Sequence, residues 1–215
     1  MTMKLYFAPG ACSFVPHSLL ESAGADFEPV LVKLHKGEHN EPAYRAINPR
    51  GQVPVLVDDG ETITQILAIV QYLDAKYPEQ QWLPREAKAR TRVLETLAWM
   101  NNTVHPTFTH VFMPFKYAQT PEAQAELKAF NAKVYAGLLG EIEKMAQDKR
   151  TEFLGGDRFG PLDAYALTLL RWGGFAQIDP TSFPALWAHV QKVAQQPGVA
   201  RAIERERLQL NLYKG

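Results

Sequence analysis

An α/β domain followed by an all-α domain is the fold class that this sequence predicts, and three observations carry it. Residues 4–34 read as strand, helix, strand. An Asp59-Gly60 pair between two β-rich runs marks a hairpin. From Arg85 onward strand signals give way to long helical periodicities. The change of period falls across "YPEQQWLP", so the expected domains are 1–80, in the order β-α-β-α-β-β-α, and 86–215, all helical.

In chain order, "KLYF" (4–7) and "FEPVLVKL" (27–34) are short strands, and "SFVPHSLLESAG" between them has helical apolar spacing closed by Gly24. "PAYRAINPRG" is a short helix stopped by Asn48-Pro49 and Gly51, and "VPVLVDDGETIT" is the hairpin. "QILAIVQYLDAKYP" carries apolar residues at 66, 69, 70 and 73 and ends before Pro78, as an amphipathic helix does. In the second half, residues 85–112 form one helix bent near Pro106. Residues 120–149 form another, with Thr120 as cap and Pro121 at the first helical position. "GPLDAYALTLLRW", "SFPALWAHVQKVAQQ" and "PGVARAIERER" supply further helices. The connection at 77–84 is short, so the halves pack closely and a cleft between them is the expected binding site.

The bulk numbers narrow the classes of function. The 215 residues are 46% hydrophobic and 21% charged, enough to build a core. Lys plus Arg equals Asp plus Glu at 23 each, so no net field draws the chain to nucleic acid or an acidic membrane surface, and a small neutral or zwitterionic ligand fits better. Apolar runs such as "ILAIV" fall far short of the roughly 20 residues that cross a bilayer. With one cysteine and no basic, apolar leader in the first twenty residues, the cytoplasm is the expected compartment.

Three short segments carry the candidate chemistry. Cys12, in "LYFAPGACSF", falls at a strand-to-helix turn, where backbone N–H groups and the helix dipole favour its thiolate, or another thiolate beside Ser13. The alternative is a buried cysteine acting as a small hydrophobe; no second cysteine makes a CxxC pair, so a two-thiol cycle is excluded. In "NPRGQVPVL", Pro54 leads into a strand from a turn, a place that suits a cis bond, and leaves the Val53 backbone free to pair with an extended peptide. In "TITQILAI", Gln65 and Ile66 open a helix whose free N–H groups suit a carboxylate; a plain helix start capped by Thr64 is the other reading.

Taken together, "KLYFAPGACS", "NPRGQVPVL", "TQILAIVQYL" and "FGPLDAYALTLLRW" resemble the glutathione transferase superfamily, and most closely its bacterial beta class, over nearly the whole chain. The resemblance implies a thioredoxin-like first domain with a cis proline at Pro54, an all-helical second domain, glutathione as co-substrate in the cleft, and a homodimer. It implies catalytic roles for Cys12, Ser13 and His105, the last facing the thiol from the second domain. His105 merely packing near Pro106 is the alternative. It further implies that Val53 holds the cysteinyl backbone of glutathione, and that Gln65 with the N–H of Ile66 holds the γ-glutamyl end. The resemblance also implies that Lys36 reaches the glycine carboxylate, with His35, His39 or Arg45 as substitutes.

The chain departs from the family pattern at several positions. Ile66 stands where many relatives have serine, Gly160 where the usual Ser/Thr cap lies, and Ala98 and Thr103 where relatives turn an asparagine and a carboxylate toward glutathione; Asn102 is the nearby substitute. His35 and His39 lack a third ligand, so no metal is expected. Asp58-Asp59 belongs to the hairpin turn rather than to acid-base chemistry. Phe108, Phe112, Phe115 and Tyr117 read mostly as core, but the resemblance implies that this region lines the pocket for a small apolar electrophile, and Phe112 and Phe115 are the expected lining. The expected function is transfer of glutathione to an electrophile or exchange with a disulfide. The alternatives are a non-catalytic or regulatory binding protein that kept the fold, and a glutathione-dependent isomerase, dehalogenase or peroxidase.

Overall fold

A computed structural model describes residues 2–148 and 150–215. Strand β1 (Met3–Phe7) runs into helix α1 (Phe14–Ala23), which ends on Gly24 at φ 61°, and β2 (Phe27–Leu31) returns parallel to β1. A helical crossover of this kind is what lets consecutive strands lie parallel. The second strand is shorter than its apolar run: the chain turns after Val32, whose N–H donates to Phe7 O, into a 3₁₀ turn at Leu34–Lys36. Helix α2 (Pro42–Ile47) follows, then the hairpin of β3 (Val55–Asp58) and β4 (Glu61–Thr64). Asp59 and Gly60 both have positive φ, 48° and 87°, as a two-residue type I′ turn requires. The sheet order is β2-β1-β3-β4, with β3 antiparallel to both neighbours.

The alternation along β1 turns Met3, Leu5 and Phe7 into the main core with Leu19 and Leu20 of α1 and Ile69 and Leu73 of α3 (Ile66–Lys76). The opposite face of the sheet buries Val55 with Val32 and with Tyr44 of α2. Residues 14–21 of α1 are buried without a break, because this helix is covered by the sheet on one side and by helices of the second half on the other. Gly198, at the start of α9 (Pro197–Glu206), meets α1 so closely that a Cβ there would fall 2.4 Å from Ser22 Cα.

The helical half comprises α4 (Ala87–Trp99), α5 (His105–Phe112), α6 (Pro121–Gln147), α7 (Pro161–Trp172), α8 (Pro184–Ala194) and α9. Between α4 and α5 the helix continues through a π turn at Met100–Val104, in which the His105 N–H reaches Met100 O. Pro106 has no N–H to offer the preceding turn, so the expected bend takes this form. Thr120 caps α6 by accepting the Ala123 N–H at 3.3 Å, as expected. At α7 the side-chain cap is one-sided: Asp163 Oδ2 accepts the Gly160 N–H at 2.8 Å, while glycine has no side chain to accept in return. A Cβ on Gly160 would lie 3.3 Å from the Trp82 carbonyl oxygen, which favours glycine there. Two local expectations need correction. Asp58 belongs to β3 rather than to the turn, its carboxylate accepting from Tyr72 Oη at 2.5 Å and from Lys76. Gln65, not Thr64, caps α3.

Candidate active site

The loop between β1 and α1 turns on Gly10, at φ 69°, and delivers Cys12 to the start of α1 with 9% of its surface exposed. Its thiol donates to the Val53 carbonyl at 3.5 Å, joining the first loop to the segment before β3. Burial pushes the Cys12 thiol up to about 12, outweighing the backbone N–H groups of Cys12 and Ser13 that favour a thiolate. This corrects the expectation from the dipole alone: the free site holds a neutral thiol that acts as a donor. Ser13 is corrected as well. Its hydroxyl is fully buried, donates to Ala8 O at 3.2 Å and accepts the Ala8 N–H at 3.1 Å. Its one proton is committed to closing the loop and is not available to a sulfur in the cleft.

The Val53-Pro54 peptide is cis. Asn48 and Tyr44 both donate to the carbonyl of Gln52, at 2.7 and 2.8 Å, and so hold the residue just before Val53. Thr64 pairs with Val55, which brings the start of α3 alongside this segment. There Gln65 is exposed with φ 72° and ψ 127°, a left-handed conformation that costs a non-glycine residue about 1–2 kcal/mol. Ile66 buries its side chain in the core, so only the first-turn N–H groups of α3 are free to meet an anion. Lys36 is exposed on its 3₁₀ turn, and among the described residues its ammonium has no hydrogen-bond partner, whereas Arg45 is occupied by Pro49 O and Asn40 Oδ1.

From the second half, His105 presents a half-buried imidazole whose Nδ1 lies 2.8 Å from Tyr165 Oη. Tyr165 Oη donates in turn to Asn101 Oδ1 at 3.2 Å, and Asn101 Nδ2 donates to the exposed Asn102 at 2.9 Å. Asn102, expected as a contact to glutathione, is exposed, and it is Asn101, carried on the π turn, that reaches Tyr165. Burial alone lowers the His105 pKa to about 4, so the ring is neutral near pH 7. Burial, and secondarily a charge on Cys12, raises the Tyr165 pKa, so the sulfur lies near enough to the His105–Tyr165 pair to act on it electrostatically.

Trp172 ties the two sides together. Its ring stands 4.7 Å from that of His105 while its Nε1 donates to the Gly10 carbonyl at 2.8 Å. Glu206 of α9 accepts the Gly10 N–H at 2.7 Å and pairs with the buried His17 of α1 at 2.7 Å. Beyond Trp172 the rings of Phe108 and Phe112 stack in sequence, each step at 16° between planes, and Phe175 closes on Phe112 at 4.9 Å. Phe112 is half exposed at the end of this ladder; Phe115 is 63% exposed with no ring partner among the described residues. Sequence reasoning missed Asn101, Tyr165, Trp172, Phe175 and Glu206. Each contributes through a partner at least 60 positions away, so even Tyr165 and Trp172, which lie within "FGPLDAYALTLLRW", carry no local sign of their role.

Comparison with known proteins gives two matching family descriptions: "Glutathione S-transferase, N-terminal domain" over residues 1–75 and "Glutathione S-transferase, C-terminal domain" over residues 106–206. The chain is 35% identical over 212 residues to Glutathione S-transferase GstA of Escherichia coli O157:H7, covering 96% of this chain and 100% of that one. A sphingomonad glutathione S-transferase solved with glutathione is 33% identical, with a TM-score of 0.81 over 96% of this chain and 100% of its own. A bacterial beta class enzyme from Sphingomonas chungbukensis is 32% identical with the same TM-score, over 96% of this chain and 100% of its own.

Proposed function

The chain belongs to the glutathione S-transferase family, and from that premise we propose that it binds glutathione in the cleft between residues 1–80 and 86–215 and transfers it to a small apolar electrophile. The observation that carries the reading is the buried Cys12 thiol donating to the Val53 carbonyl beside the cis Pro54, on a loop that Trp172 ties to His105. A thiol held there turns its proton onto a bound glutathione sulfur and releases the Val53 backbone to pair with the cysteinyl unit. Because a second thiolate next to the first is costly and burial already disfavours one on Cys12, conjugation is favoured over exchange through a mixed disulfide. Gln65 and the Ile66 N–H take the γ-glutamyl end, and Lys36 the glycine carboxylate. The apolar electrophile lies on the ring ladder ending at Phe112. The beta class, a homodimer and a cytoplasmic location complete the reading; support for the class comes from the Sphingomonas chungbukensis enzyme. Relatives bearing transferase names disfavour a non-catalytic binding protein.

Glutathione binding measured by calorimetry, followed by rates with an aryl halide, a hydroperoxide and a mixed disulfide, tests this reading. Binding with conjugation of the aryl halide is the expected result, and no binding at millimolar glutathione overturns it. His105→Ala should lower the conjugation rate, while Ser13→Ala should act through stability because its hydroxyl closes the loop.

A further inference from the structure

The hydrogen bonds around His105 have a direction. Asn101 commits its amide nitrogen to Asn102 Oδ1, so its carbonyl oxygen faces Tyr165. Tyr165 has one hydroxyl proton, and that proton goes to Asn101 Oδ1. The 2.8 Å contact with His105 can then be made only by a proton on Nδ1, donated to the phenolic oxygen. We propose that Tyr165 and Asn101 are positioning residues that fix the His105 proton on Nδ1 and leave Nε2 bare as the acceptor for the glutathione thiol proton. This rests on the reading that glutathione occupies the cleft.

The surroundings agree. Nε2 has no hydrogen-bond partner among the described residues and is not sealed from solvent. The ring edge is set by Trp172, which also holds the Gly10 carbonyl two residues before Cys12. In the step itself the glutathione S–H bond breaks and an Nε2–H bond forms. A neutral pair becomes a thiolate beside an imidazolium, and the net charge of the site does not change. A buried imidazole alone resists protonation; the thiolate formed in the same step offsets that cost.

Imidazole ¹⁵N shifts near neutral pH test the proposal without turnover, with His105→Gln assigning the signals. The expected result is a protonated Nδ1 and an unprotonated Nε2 in the parent. In Asn101→Leu the tyrosine proton is free to turn onto Nδ1, so the pattern should invert, and conjugation should fall by on the order of a hundredfold with glutathione affinity retained. Tyr165→Phe, which removes the constraint, should give a mixture of the two forms. A purely structural role for these residues would lower stability and leave the tautomer unchanged. A protonated Nε2 in the parent, or an unchanged pattern in Asn101→Leu, overturns the proposal. Failure of the parent to bind glutathione would overturn the functional reading separately, and the shifts would still report where the His105 proton lies.

Discussion

Cys12 shows how far one residue's chemistry depends on what surrounds it. A helix start lowers a thiol's pKa and burial raises it; here burial wins, at about 12. Iodoacetamide should therefore label the free protein slowly at pH 8, with a rate still climbing above pH 10. A plateau near pH 7 would show a stabilised thiolate. Cys12→Ala, which removes the donor to the glutathione sulfur, should slow aryl halide conjugation without abolishing it and should lose any disulfide exchange; exchange that survives in Cys12→Ala would show that the sulfur takes no covalent part in it. Gln65 sits at φ 72°, so Gln65→Gly should stabilise the fold by about 1 kcal/mol in denaturant melts while weakening glutathione binding. Neither effect is visible in the residue type.

At the level of elements, α1 is the joint of the molecule, because its buried surface is shared by the sheet and by α7 and α9. Its polar residues are matched from the far end of the chain: His17 by Glu206, and Glu21 by Arg201 and Arg205. Glu206→Ala would leave both the Gly10 N–H and His17 Nδ1 unpaired in a dry site. A loss of about 2–4 kcal/mol is expected in chemical denaturation, with a smaller loss for Glu206→Gln, which keeps an acceptor. Equal, small losses in the two variants would mean that water replaces the carboxylate. The break between α4 and α5 belongs to the same scale. Proline made a bend legible, but the π turn that carries Asn101 depends on the whole run of carbonyls and N–H groups around it.

For the whole molecule, His105 links stability to pH. Its folded pKa is depressed from 6.5 to about 4, so between those values the unfolded chain binds more protons and stability falls as pH falls. Melting temperatures at pH 7.5 and 5 should differ in that direction, and His105→Gln should flatten the difference. What the sequence by itself determined was what short range chemistry writes: the strands and the Asp59-Gly60 turn, the end of α1 and the start of α6, the cis-prone Val53-Pro54 bond, and Cys12 and His105 as residues to watch. Periodicity, turn propensity and capping act within a few residues, so they survive in a string of letters. Only the tertiary structure decided which way each polar group points. Ser13 faces Ala8, Asn101 reaches Tyr165 across 64 positions, and Gly10 meets Glu206 across 196. Buried donors and acceptors must be paired wherever the fold brings a partner, and that choice is made only once the two halves have packed.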